Sequence, residues 1–190
     1  MGLSFHYSGS FRQSASLPEM IEELTDIAEI HNWKYHIFQK QFPLAESDND
    51  ANKNAIYGIM FSPPRCEPVW LCFLANRRLC SPINLELFGQ SEDPKHRSFL
   101  YILSTSTQYA GTETHMAVIN LLRYLAGRYF EGLEVSDEGN YWETGDVKIL
   151  EANFRYYNDA PNVLTSAYGL RKKLPHESYV DFLRRILKKK

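Results

Sequence analysis

Cysteine, net charge and long apolar runs are all scarce in this sequence. Its three cysteines, at positions 66, 72 and 80, match neither a C-x-x-C zinc or redox motif nor a paired disulfide framework. The 21 basic residues nearly balance the 23 acidic ones, so the chain as a whole is not a polycation built for nucleic acid. The longest helix-like apolar stretch, 116–126, is interrupted by Asn120 and Arg123. It falls short of the roughly 20 residues that a membrane span needs, so none is predicted.

The beginning of the chain also lacks the basic and apolar regions of a secretory signal. Together with the unpaired cysteines, this predicts a cytoplasmic protein with reduced thiols. Apolar residues make up 44% of the chain and charged residues 23%, which is ordinary for a globular protein. No linker or repeat divides the sequence, so we predict a single domain over 1–190. No cofactor-binding motif is present, and none is predicted.

Alternating and continuous apolar runs predict strands over much of the chain. Residues 3–7 alternate apolar and polar, whereas residues 68–74 are almost continuously apolar, which is typical of a central strand covered on both faces. Ser16 and Glu19 form a capping box that begins the first helix. The polar stretch 46–54 predicts an exposed, mobile loop. Further strands are predicted at 33–38, 56–61, 85–88, 99–103 and 133–135.

Three further helices are predicted. Thr112 is the expected N-cap of the main core helix, and Asp146 is expected to cap another, which the residues at 158–161 break. A last, amphipathic helix begins near Pro175. The predicted fold is therefore α+β, with a largely antiparallel sheet of about five to seven strands packed against two or more helices and a C-terminal amphipathic helix.

The segment 137–146 is the first candidate site, because it carries four acids beside Tyr141 and Trp142. Asp137, Glu143 and Asp146 are candidate ligands for a hard divalent cation, which prefers oxygen. Acid–base catalysis is the other chemistry that such acids support. Its candidates are Asp137, Glu138, Glu143 and His115. The favoured interpretation is structural: glycines make the turns, Asp146 caps a helix, Trp142 anchors the loop, and the remaining acids face water.

The polar segment 104–115 is the second candidate, because it leads into the N-terminus of the main helix, where unpaired amides attract anions. It lacks the lysine and glycines of a P-loop, and a capped strand-to-helix turn is the favoured interpretation. The candidate ligand-binding residues of these two segments are Gln108, Tyr109, Thr112, Tyr141 and Trp142.

The third candidate is the basic segment 171–190, which has a net charge of +6, whereas residues 1–170 have a net charge of −8. The favoured interpretation is a helix whose apolar stripe docks on the domain. The alternative is contact with nucleic acid or another acidic partner. The basic residues that would make it are Arg184, Arg185, Lys188, Lys189 and Lys190.

The segments 3–9, 107–115 and 137–146 together resemble blocks of a group of uncharacterised bacterial proteins studied by structural genomics. The resemblance spans most of the chain and implies a bacterial, cytoplasmic, single-domain protein. It implies no activity, cofactor or catalytic residue.

The leading functional interpretation is a non-catalytic binding domain that presents the 104–115 and 137–146 loops, with a protein or a small ligand as its partner. The first alternative is a small hydrolase that uses the acids of 137–146 with a divalent cation. The second is nucleic-acid contact through the basic C-terminal segment. The hydrolase interpretation requires the acids to converge on one pocket with His115 or an ordered ion.

Overall fold

The computed structural model describes residues 3–43 and 55–167, with side chains as far as residue 157. It confirms an α+β fold, in which the described strands form two three-stranded antiparallel sheets. The strands are β1 (Ser4–Phe11), β2 (Lys34–Ile37), β3 (Tyr57–Ser62), β4 (Val69–Phe73), β5 (Leu103–Ser106) and β6 (Phe130–Asp137). The helices are α1 (Leu17–Ile30), α2 (Pro82–Phe88), α3 (Pro94–Ser98), α4 (Thr112–Tyr129), α5 (Tyr141–Thr144) and α6 (Val147–Ala167), and a short 3-10 turn spans Phe99–Tyr101.

The first sheet has the order β5–β1–β6 and the second β2–β3–β4. A short segment after β4 links them, because Leu79 bridges Phe73 of β4 and also donates its N–H to the carbonyl of Gly9 in β1. The Tyr7 hydroxyl adds a second link, since it accepts a hydrogen bond of 2.9 Å from the Trp70 N–H. The two sheets therefore share one core rather than forming separate bodies.

The core lies between these sheets and the helices packed on them. α1 contributes Leu17, Met20, Ile21 and Leu24, which are all buried at helical spacing. α4 contributes a longer buried stripe that covers the first sheet. α5 and α6 pack against α4, so the turn that follows β6 is enclosed on its inner side.

The predicted single sheet of five to seven strands is wrong in size, because the strands divide into two smaller sheets. The apolar run 68–74 is buried, but β4 pairs with β3 alone in its sheet and is therefore not central. Residues 85–88, predicted as a strand, belong to helix α2. Ser81 caps this helix by accepting from the Asn84 N–H, and Pro82 opens it. A short apolar run fits either structure, and the capping residues decide it.

The strand predicted at 99–103 is also wrong over its first part, which forms the 3-10 turn. Leu100 and Leu103 are buried, whereas Phe99 and Ile102 are 43% and 52% exposed. The three-residue spacing of the buried positions suits a helical turn rather than a strand.

Two predicted boundaries differ at other elements. The first strand continues past Gly9 to Phe11, and α6 continues through Pro161 to Ala167, so the predicted break at 158–161 is wrong. The predicted loop 46–54 and the basic segment 171–190 lie outside the described residues. No helix among the described residues is long and apolar enough to cross a bilayer.

Candidate functional site

A buried chain of polar side chains joins the two segments that the sequence singled out. The Thr107 hydroxyl lies 2.7 Å from His115 Nδ1, and His115 Nε2 lies 3.1 Å from Asp137 Oδ2. Thr107 precedes α4, His115 lies on its first turn, and Asp137 ends β6. The side chains of His115 and Asp137 are fully buried, and so is Thr107. A hydroxyl, an imidazole and a carboxylate in series are typical of hydrolases, but this series is closed to any substrate.

Asp137 holds the start of α5. Its carboxylate accepts backbone hydrogen bonds from Gly139 at 2.7 Å, Tyr141 at 2.8 Å and Trp142 at 3.0 Å, in addition to the His115 ring. Burial alone would raise the pKa of Asp137, but the His115 hydrogen bond and charge and the backbone donors outweigh it and lower the pKa below its ordinary value. The carboxylate is therefore ionised and accepts from His115 Nε2, while the Thr107 hydroxyl and His115 Nδ1 share a second hydrogen bond.

Arg123 of α4 binds the carbonyls of the first two residues of α5. Its Nη2 donates to the carbonyls of Tyr141 at 2.5 Å and Trp142 at 2.7 Å, and its guanidinium lies over both rings. A carboxylate at the N-terminal amides and a guanidinium at the carbonyls suit the dipole of this short helix. The predicted anchoring role of Trp142 is confirmed in this form, and Tyr141 shares it.

The remaining acids of 137–146 do not converge with His115. The Glu138 carboxylate accepts from the Ser4 N–H at 2.8 Å. Asp146 accepts from the Lys148 N–H at 2.7 Å, which confirms its predicted capping role at α6, and Glu143 is exposed. Among the described residues, no three histidines, cysteines or acids lie close enough to hold a metal ion. Asp137, Glu143 and Asp146 therefore do not form a cation site.

The residues predicted to bind an anion before α4 lie at the surface. Gly111 is the N-cap, instead of Thr112, and no side chain caps the helix. Thr112 lines a shallow pocket of about 360 Å³ with Glu151, Phe154 and Arg155. Tyr109 is 69% exposed, and Gln108 is half-buried. The segment is therefore accessible, but it does not surround a ligand.

The open face of the first sheet carries a groove that sequence reasoning missed. Strand register aligns Ser104, His6 and Ser136 in one row across β5, β1 and β6. These short side chains form the floor of a groove of about 580 Å³, which Glu134 and Arg78 also line. The three members of the row are far apart in the sequence, and only strand pairing brings them together.

A second pocket, of about 610 Å³, lies between the turn after β4 and α2. Buried Leu74, Leu85 and Leu100 line it, and Glu92 and Arg97 also contribute. Its size falls within the usual range for small-ligand sites. Tyr101 lines this pocket as well as the groove, with the Arg78 guanidinium 3.6 Å above its ring.

The third feature is the acidic run of residues 130–151, which passes from β6 of the first sheet through α5 to the start of α6 beside α4, and which we call the acidic side. The sequence places seven acidic residues and one lysine here. Five of the acids are exposed: Glu131, Glu134, Glu143, Asp146 and Glu151. None of these five forms an ion pair with another residue of the part that the structure describes.

The three cysteines give no nucleophile. Burial raises the pKa of the Cys66 and Cys80 thiols to about 12, and it raises the pKa of Cys72 as well. All three are unpaired. Thiols in such surroundings are protonated near neutral pH and therefore unreactive.

No protein-family model, curated protein or solved structure matches this chain. The resemblance to uncharacterised bacterial proteins stays a prediction that these comparisons do not test.

Proposed function

We propose that this chain is a binding domain that recognises a cationic protein segment through its acidic side. The observation that carries the proposal is the set of five exposed carboxylates on residues 130–151, which have no ion-pair partner among the described residues. Unpaired surface charge of one sign attracts a partner of the opposite sign and speeds its association. The proposal includes a cytoplasmic location, which the three unpaired cysteines support.

The buried polar chain supports binding rather than catalysis. The Asp137 carboxylate accepts from His115 of α4, from Gly139 in the turn and from the first two residues of α5, so it fixes the turn between β6 and α5 instead of facing a substrate. The side chains of His115, Asp137 and Arg123, which we call the latch, hold the turn after β6 through their hydrogen bonds. A surface held in its bound conformation loses less entropy on association.

The test compares two triple variants that have the same change in net charge. The first replaces Glu131, Glu134 and Glu143 with lysine. The second, a matched control, replaces the exposed Glu22, Asp26 and Glu86 elsewhere on the surface. The probe is an acetylated and amidated peptide, Thr-Lys-Val-Lys-Thr, titrated by NMR at low and physiological salt.

We expect the first variant to weaken peptide binding at least tenfold, because it reverses the charge at the contact. The control should change binding less than threefold. Equal loss in both variants would mean that the peptide senses only net charge, and absence of peptide binding to the wild-type chain would refute the proposal directly.

A further inference from the structure

β6 is at the edge of the first sheet among the described strands, and two contacts of that sheet show the direction of its backbone groups. Glu138 donates its N–H to the Ser4 carbonyl, and Thr107 donates its N–H to the Leu3 carbonyl. Successive residues of an antiparallel strand present their backbone groups to opposite sides. The even residues of β1 therefore bond to β6 and the odd residues to β5, which places the N–H and C=O groups of Val135 and the C=O group of Leu133 on the outer edge. A bulge between Glu131 and Glu134 interrupts the alternation just before this stretch.

Both ends of this outer edge are closed by the chain itself. The Phe130 carbonyl accepts from Arg12 Nη2 at 3.1 Å, and the Asp137 carbonyl accepts from the Asn140 N–H at 2.9 Å. Between them, no residue of the described part bonds to the outward groups of Leu133 or Val135. The opposite edge of the sheet differs, because Glu67 bonds both outward groups of Ser106 in β5.

Exposed edge groups of this kind pair with an added strand, and the neighbouring charges select which strand. Glu134 projects onto the open face, in register with Ser8 of β1, and Glu131 is exposed on the same strand. Antiparallel pairing with β6 of a second copy would bring acidic side chains together, which disfavours that pairing. A strand with lysine or arginine at alternate positions would place a cation beside Glu134 instead.

We propose that an extended, basic peptide segment of a partner protein adds to the first sheet as a fourth strand along β6, bonding to Leu133 and Val135. This inference rests on the proposed function and gives it a mode of binding. Partner residues whose backbone faces β6 place their side chains on the same face of the sheet as Leu133 and Val135. The intervening residues place theirs on the open face, beside Glu134 and Ser136.

Hydrogen exchange on the full chain tests the premise without any ligand. The amide of Val135 should exchange quickly, whereas those of Glu134 and Ser136, which bond to β1, should be protected. Protection of the Val135 amide in the free chain would show that another part of the chain, or a second copy, already covers the edge, and it would overturn the inference. Concentration dependence of that protection separates these two cases.

Backbone methylation of the probe tests the mode of binding. When the lysines of Thr-Lys-Val-Lys-Thr lie beside Glu134, the backbone N–H groups of its threonines and valine face β6. Methylating these three backbone nitrogens removes the donors. We expect this peptide to bind at least tenfold more weakly, whereas methylating the lysine nitrogens should change affinity less than threefold. The unmodified peptide should slow the exchange of the Val135 amide.

A protein variant provides the converse test. V135P removes an outward N–H that the sheet does not use, and proline is tolerated on edge strands. It should abolish peptide binding, whereas E134Q should keep the edge and lose only the charge contribution. If the lysine variants weaken binding while methylation and V135P do not, the acidic side binds its partner without strand addition, and the inference fails while the proposed function stands.

Discussion

Replacing Asp137 with asparagine tests whether the polar chain is a structural latch. The carboxylate accepts four hydrogen bonds, three on Oδ2 and one on Oδ1. An asparagine in the same place retains one acceptor oxygen. Its NH₂ group replaces the other oxygen and cannot accept from the backbone N–H groups that face it. Hydrogen bonds to charged groups contribute about 1.5–3 kcal/mol each, and a buried donor left unsatisfied costs about 1–3 kcal/mol. We therefore expect the free energy of unfolding to fall by about 2–4 kcal/mol at pH 7.

The pH dependence of that loss gives an independent check. The folded pKa of Asp137 is lowered, so its ionised form contributes stability above its ordinary, unfolded pKa. This contribution is lost as the pH falls through the folded pKa, and the difference between wild type and variant should shrink in that range. Urea unfolding at pH 7, 5 and 3, followed by far-UV circular dichroism, measures it.

The matched control is Glu143→Gln, which changes an exposed carboxylate of the same turn. Its free energy of unfolding should stay within about 0.5 kcal/mol of wild type at each pH. The latch argument is refuted if Asp137→Asn is equally neutral at pH 7, or if its destabilisation grows as the solution becomes more acidic.

Three further predictions follow, two on residues that surround the latch and one on a buried thiol. In Gly139→Ala, the new Cβ would lie 2.6 Å from Leu150 Cδ1 and 3.0 Å from both Asp137 Oδ1 and His115 Nε2, so unfolding by urea should show a loss of about 1–3 kcal/mol. A neutral result would mean that the pair can shift. Arg123→Met removes the donors to two carbonyls of α5 and should cost about 1–2 kcal/mol in the same assay, with partial rescue by lysine. An Arg123→Met variant with the same free energy of unfolding as wild type would contradict the stabilising role of these two hydrogen bonds. The Cys66 thiol, whose pKa burial raises to about 12, should react with iodoacetamide far more slowly than a free thiol at pH 8; rapid labelling would contradict its burial.

Local capping signals predicted the helices better than apolar runs predicted the strands. Ser16 caps α1 by accepting from the Glu19 N–H, as the capping pattern indicated. Asp146 caps α6 in the same way. By contrast, the short runs at 85–88 and 99–103 form a helix or a strand according to which of their side chains are buried. Burial is set by contacts between distant segments, so a short run alone cannot decide between helix and strand.

The polar chain was only partly predictable for a related reason. The helix predicted to begin at Thr112 contains His115 near its start, and the structure confirms this position, although Gly111 is the N-cap. Nothing in the spacing indicated that Asp137, which is 22 residues away, would close the chain. That contact depends on β6 running antiparallel to β1 beside α4. The groove floor was missed for the same reason, because Ser104 and Ser136 flank His6 only after the strands pair.

The latch and the proposed binding edge are mechanically linked through the end of β6. Asp137 is the last residue of that strand, two residues beyond Val135 and six before Glu143. Loss of its carboxylate would therefore free the turn that carries Glu143 before it disturbs the inner hydrogen bonds of β6, which Glu134 and Ser136 make with β1. Exchange of the Tyr141 and Trp142 amides in Asp137→Asn should accelerate more than exchange at Glu134 or Ser136. Equal acceleration at all four amides would mean that strand and turn open as one unit, and the latch would then stabilise the binding edge as well as the turn.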